Sequence, residues 1–325
     1  MNVLVLLPVT ETHKATLQAA LPEADFTFVA PESTVGRQVT LDAGLAAVTD
    51  EQIAAADVIV GNLPPQRVPQ ATHLQLLQLN SAGYDNYLAA GTVPAAVELC
   101  CASGAFGQAV GEHMFAMLLS LMKRLPGYQD MQRDRAWGDL GPVTSLSGAR
   151  VLVLGAGDIG THFAQLCRGM GAHVEGVKRN TLAYPSVFEA MHTMDELPQV
   201  LPQADAVVSF LPSTAQTKGL ADAAFFKAMK PGAFFVNGGR GDLVVAGALV
   251  DALQSEHVAG AALDVTDPEP LPAGHVFWDA PNLLITPHIS GFFHLQATLD
   301  NIVEIAAENL RHLAASEPLR NRVEH

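Results

Sequence analysis

The sequence predicts an α/β protein of two doubly wound parallel-sheet units. Two observations carry that reading. Short runs rich in Val, Leu and Ile alternate with helical patterns along nearly the whole chain, the signature of βαβ units. A glycine-rich turn, Gly155-Ala156-Gly157-Asp158-Ile159-Gly160, follows directly on one such run. The length of 325 residues fits two domains of ordinary size.

The first series has strand candidates at Val3–Leu7, Phe26–Val29, Val58–Val60, Leu76–Leu79 and Val97–Cys100, with a helical stretch at Thr12–Ala20. A long helix is expected from about Gly107 to Leu125, ended by Pro126-Gly127, and Tyr128 to Gly148 reads as an arm or connector. The second series has candidates at Val151–Leu154, His173–Val177, Ala206–Phe210, Ala233–Asn237, Gly260–Leu263 and Leu283–Thr286. Those six match a complete dinucleotide-binding domain. His294 to Ala315 has helical periodicity and a polar stub follows; this helix could return to the first unit and make that unit discontinuous.

The formal net charge of −15 argues against nucleic acid and against an anionic membrane surface as partners. A small anionic ligand stays possible, because one local Arg can outweigh a distant negative field. No apolar run approaches the roughly 20 residues of a membrane helix. The N-terminus has no basic segment before Lys14 and reads as a first strand rather than a signal peptide. Cys100, Cys101 and Cys167 form no disulfide or metal pattern; a reducing, cytoplasmic compartment and small buried thiols are expected.

Val151 to Leu154, the G-x-G-x-x-G turn and the helical stretch Thr161 to Met170 form a dinucleotide fingerprint in its required context. Gly155 permits the tight turn, Gly157 the approach of a pyrophosphate, and Gly160 the close packing of helix on strand. The helix start, Asp158-Ile159-Gly160, offers unpaired N–H groups and a positive dipole end. The next strand decides between dinucleotides. An NAD binder ends it in Asp or Glu, but here Lys178, Arg179 and Asn180 stand at the end and Glu175 lies inside. Two cations and an amide suit a 2′-phosphate, so NADP(H) is favoured with NAD(H) possible.

Arg240 (in Gly238-Gly239-Arg240-Gly241-Asp242), Glu269 (in Asp267-Pro268-Glu269-Pro270-Leu271-Pro272) and His288 (in Thr286-Pro287-His288-Ile289-Ser290-Gly291) each follow the C-terminal end of an expected strand. Ligands bind at that edge of an open α/β sheet. No zinc motif, P-loop or nucleophile elbow occurs, and no metal is expected.

With those segments, with Leu211-Pro212-Ser213-Thr214 and Thr217, and with Leu263-Asp264-Val265, the chain resembles the D-isomer-specific 2-hydroxyacid dehydrogenases over essentially its whole length. The resemblance implies a Rossmann coenzyme domain, 102–289, inserted in a flavodoxin-like substrate domain, 1–101 plus 290–325, with the active site in the cleft. It implies hydride transfer between a nicotinamide cofactor and C2 of a small 2-oxoacid or D-2-hydroxyacid. His288 would be the acid/base, Glu269 its partner favouring the imidazolium, and Arg240 the carboxylate binder. Ser81, Ala82 and Gly83, in the loop Asn80 to Asp85, would complete the carboxylate cradle. Leu211, Pro212, Thr217, Gly238 and Gly291 would line the cofactor, and Asp264 would contact its nicotinamide side. A homodimer is implied.

Two departures stand out: the missing acid after the second strand, and the glycine-rich Ser103 to Gln108, where the family often has Asn and Thr. Phe292 and Phe293 could wall the substrate pocket or pack a junction. Glu269 argues against a formate dehydrogenase, which carries Gln there. A short phosphoglycerate dehydrogenase, or a dinucleotide-sensing binding protein of the same fold, stays as the alternative.

Overall fold

The computed structural model describes residues 1–29, 48–179 and 181–325. The chain forms two compact units, Met1–Phe106 with Gly291–His325, and Gly107–Ser290.

The first unit holds strands β1 (Asn2–Val5), β2 (Asp25–Phe28), β3 (Val58–Val60), β4 (Leu76–Gln78), β5 (Glu98–Cys100) and, near the C-terminus, β13 (Arg322–Val323). Their order is β13-β5-β4-β3-β1-β2. The first five strands pair in parallel in the flavodoxin-like order. Val3 to Val5, Val58 to Val60, Leu76 and Leu77 are buried, as apolar runs in a parallel sheet should be. The helix Gln296–Ala315 belongs to this unit, and Asp300 on it accepts from His13 Nε2 of the helix Glu11–Ala20 at 2.8 Å. The tail is more than a polar stub. β13 pairs antiparallel with β5, and buried Asn309 holds it through the N–H and C=O of Arg320.

The second unit holds β6 (Arg150–Leu154), β7 (His173–Val177), β8 (Ala190–His192), β9 (Ala206–Ser209), β10 (Ala233–Asn237), β11 (Val258–Leu263) and β12 (Leu283–Ile285). The order β12-β11-β10-β9-β6-β7-β8 is the Rossmann order with a seventh strand at one edge. The seventh strand is β12 at one edge; β8, the third strand of the Rossmann order at the other edge, lies outside the six expected from the sequence because it is short and half-buried and carries no apolar run. Beneath the sheet, Phe225, Phe226 and Phe235 pack edge-to-face at 5.2–6.0 Å between ring centroids.

The long helix also departs from expectation. It runs Gly107–Met122, and a second helix, Leu125–Arg133, restarts after Arg124, whose φ is +56°. Pro126 stands in the first turn of the new helix, where its missing N–H costs nothing. The first six residues of the arm, Tyr128 to Arg133, are therefore helical. Its remainder leaves Trp137 fully exposed.

Candidate active site

The fingerprint folds as its spacing requires. Gly155 has φ +94°, and a methyl group on Gly160 would lie 2.3 Å from the Gly155 carbonyl oxygen. Both positions exclude a side chain. Gly157 faces open space and precedes the helix Asp158–Gly169, whose first N–H groups point outward. These residues fit a pyrophosphate.

Within β7, Glu175 is engaged by Arg150 at 2.9 Å and His192 at 2.8 Å. Lys178 is half-buried and Arg179 exposed. Among the described residues neither side chain has an ion-pair or hydrogen-bond partner. Asn180 lies outside the described residues.

Buried polar residues stand in a row at the ends of three neighbouring strands. Ser209 ends β9, Asn237 ends β10 and Asp264 follows β11. Ser209 receives the Gly238 N–H on its carbonyl. The Asn237 side chain accepts the Gly239 N–H at 3.1 Å and donates to the Arg240 carbonyl at 2.8 Å, closing the turn that presents Arg240. The Arg240 guanidinium donates to its neighbour's carbonyl at 2.9 Å. After β9, Thr217 accepts from the Thr214 N–H at 2.9 Å and donates to the Pro212 carbonyl at 2.6 Å, locking the turn Leu211–Thr217.

Glu269 and His288 meet. Glu269 Oε2 lies 2.8 Å from His288 Nδ1, and its Oε1 accepts the Thr266 N–H at 3.0 Å. Burial would raise the Glu269 pKa. The His288 bond, the Thr266 N–H and the charges of His288 and Arg240 outweigh burial and hold the carboxyl below its ordinary value. Arg240, Glu269 and His288 are therefore gathered at one edge of one sheet.

Asp264, 1% exposed, has both carboxylate oxygens occupied by the segment that carries His288. Oδ1 accepts from Thr286 Oγ1 at 2.5 Å and the Ile289 N–H at 3.1 Å. Oδ2 accepts from the N–H of Ser290 at 3.1 Å and from its hydroxyl. Sequence reasoning missed Ser209, Asn237, Thr286 and His113 as structural parts of this edge. A polar residue closing an otherwise apolar buried strand is the signal that could have found the first two. Gly291 directly follows Ser290 and opens the C-terminal part of the first unit. In that unit, the Ser81 hydroxyl donates to the Gly83 carbonyl at 2.7 Å, tightening the loop Asn80 to Asp85.

A Rossmann sheet with a dinucleotide fingerprint, and a histidine–carboxylate pair and an arginine at its carboxyl edge, is the architecture of a nicotinamide-dependent dehydrogenase. The profile of the D-isomer specific 2-hydroxyacid dehydrogenase NAD-binding domain matches residues 115–290. A glyoxylate/hydroxypyruvate reductase A from Photorhabdus laumondii is 31% identical over 228 residues, covering 70% of this chain and 71% of that protein. Among solved structures, a D-isomer specific 2-hydroxyacid dehydrogenase family protein from Aeromonas salmonicida superposes with TM-score 0.83 at 31% identity, covering 99% of this chain and 98% of that one. A second, from Xanthobacter autotrophicus and in complex with NADPH and MES, gives 0.77 at 28% identity, covering 99% and 98%. The chain belongs to the D-isomer-specific 2-hydroxyacid dehydrogenase family and is an NAD(P)-dependent oxidoreductase.

Proposed function

We propose that this enzyme reduces the C2 carbonyl of a small 2-oxoacid, with NADPH as its preferred donor. The observation that carries the reading is the His288–Glu269 bond at 2.8 Å, with the charge of Arg240 felt at the same carboxylate. The bound nicotinamide supplies the hydride that reaches C2. His288 delivers a proton to the carbonyl oxygen, giving the 2-hydroxyacid. Because Nδ1 is committed to Glu269, Nε2 is the atom that hands the proton over. Glu269 fixes the ring's orientation and stabilises its charged form. Arg240 takes the substrate carboxylate with its planar fork and polarises the carbonyl. On the resemblance alone, the N–H groups of Ala82 and Gly83, with Ser81, also serve that carboxylate.

Gly155, Gly157 and Gly160 with the N–H groups of Asp158 and Ile159 hold the pyrophosphate. Lys178 and Arg179, with Asn180, hold the 2′-phosphate, and Glu175 is spent on Arg150 and His192. Leu211, Pro212, Thr217, Gly238 and Gly291 line the cofactor, and Asp264 serves the nicotinamide side through the loop it holds. The coenzyme role falls to the second unit and the substrate role to the first. A homodimer in a reducing cytoplasm completes the proposal, supported by exposed Leu125, Trp137 and Val143 and by three free buried cysteines.

Oxidation of NADPH and NADH at 340 nm with glyoxylate, hydroxypyruvate, pyruvate and phenylpyruvate tests it. Turnover with NADPH and a small 2-oxoacid is expected. His288→Ala should keep NADPH binding and lose turnover by about 10²–10⁴-fold, the usual contribution of general acid–base catalysis. Near-normal kcat in that variant would overturn the assignment.

A further inference from the structure

His113 lies on the helix Gly107–Met122, and its Nε2 is 3.0 Å from Thr286 Oγ1. The Thr286 hydroxyl lies 2.5 Å from Asp264 Oδ1 and donates to it. A hydroxyl has one proton, so Thr286 can only accept from His113. His113 therefore carries its proton on Nε2. The chain of donors runs His113 to Thr286 to Asp264.

Asp264 is the anchor of the segment that presents His288. Besides Thr286, it accepts from Ile289 and twice from Ser290. Its own carbonyl accepts the His288 N–H at 2.7 Å. His288 itself sits at φ +52°, in the left-handed region that a side chain adopts only when its surroundings hold it there. A buried carboxylate needs every acceptor site filled, and Thr286, like Ser290, brings a hydroxyl donor whose orientation the backbone does not set. His113 sets the Thr286 hydroxyl, by occupying its lone pair, while its Nε2 also lies 3.8 Å from Asp264 Oδ1.

We infer that His113 and Thr286 are positioning residues for proton transfer by His288. Neither needs to touch substrate. Their work is to keep Asp264 fully bonded and thereby fix the backbone that aims the imidazole. The inference rests on the reading of His288 as the acid–base group.

Four variants test it in the intact enzyme. His113→Leu removes the Nε2 donor and His113→Gln restores an N–H at similar reach. Thr286→Val removes the hydroxyl without changing shape, and Thr286→Ser keeps it. A misplaced catalytic group loses up to about 10²-fold, so kcat should fall roughly tenfold in His113→Leu and in Thr286→Val. The 2-oxoacid KM and the NADPH Kd should stay within about twofold, because the loss belongs to the transition state alone. His113→Gln and Thr286→Ser should recover most of kcat. The double variant His113→Leu/Thr286→Val should be no slower than Thr286→Val, because one chain is broken once.

Full kcat in Thr286→Val overturns the inference, even if His113→Leu does not fold. Equal losses in His113→Leu and His113→Gln, with lowered Tm and weakened NADPH binding, also overturn it and mark His113 as a packing residue. His288→Ala is measured alongside. An active His288→Ala overturns the acid–base reading and this inference together. An inactive His288→Ala beside fully active His113→Leu and Thr286→Val overturns this inference alone.

Discussion

A methyl group on Gly241 would lie 2.0 Å from both the carbonyl carbon and the carbonyl oxygen of Thr266. The backbone that leaves Arg240 thus rests directly on the backbone that leads to Glu269. The Thr266 N–H in turn holds the Glu269 carboxylate at 3.0 Å. Arginine and carboxylate are spaced by main chain on main chain, and no side chain can relax between them. Gly241→Ala must push the two loops apart. It should cost about 1–3 kcal/mol of stability, as overpacked sites do. It should also lower kcat more than it weakens NADPH binding, since the fingerprint lies elsewhere on the sheet. Urea unfolding and steady-state kinetics check both, and a Gly241→Ala enzyme with unchanged kcat would show that this contact does not set the geometry.

The Glu269 carboxyl is held below its ordinary value of 4.5. A carboxyl whose folded pKa is depressed adds stability above its unfolded pKa and loses it as pH falls through the folded pKa. Glu269→Gln should therefore be less stable than the parent at pH 7. The gap should close below pH 4.5, as the parent carboxyl takes up its proton. Because the Glu269 side chain is 38% exposed, solvent screening keeps the gap to about 1 kcal/mol or less. Urea midpoints across pH 3 to 8 would read it, and a gap that widened toward acid would reverse the sign argued here.

What the sequence disclosed follows from what each residue must do alone. Strands buried on both faces need apolar runs, so β3 and β10 are legible to the residue. β13 is two residues long with only Val323 buried, and its partner β5 lies more than two hundred positions away in the chain, so no local pattern announces it. Pro126 misleads because proline stops one helix and starts another with equal ease. At the site, Arg240, Glu269 and His288 declare themselves by following strand ends. His113 does not, because its meaning comes from Asp264 and from Thr286, the latter 173 positions further on.

Asn309 gives a prediction confined to the first unit. Fully buried, it donates to Gln78 Oε1 at 2.6 Å and to the Arg320 carbonyl at 3.0 Å, and accepts the Arg320 N–H at 2.7 Å. Asn309→Ala leaves buried partners on Gln78 and Arg320 unsatisfied, at about 1–3 kcal/mol. The transition temperature should fall, and backbone amides of Arg322 and Val323 should exchange faster as β13 loosens from β5. NADPH affinity should hold. Unaltered exchange at β13 would mean that the strand is held without Asn309.

The proposed preference for NADPH turns on two cations that no carboxylate among the described residues neutralises. A 2′-phosphate brings charge-assisted acceptors to Lys178 and Arg179, whereas a ribose hydroxyl brings none. Lys178→Asp with Arg179→Ala removes those donors and places an acceptor where the 2′-hydroxyl of NADH can donate. The NADPH/NADH ratio of kcat/KM should fall by at least tenfold, since the loss of one charged hydrogen bond of about 1.5–3 kcal/mol is enough. Ionic strength offers an independent check in the parent enzyme. Screening should raise the KM for NADPH more steeply than that for NADH, because only the former depends on an added phosphate charge. A ratio unmoved by the double substitution, with equal salt dependence for both cofactors, would assign the pair to a solvated strand end and leave the preference to other residues.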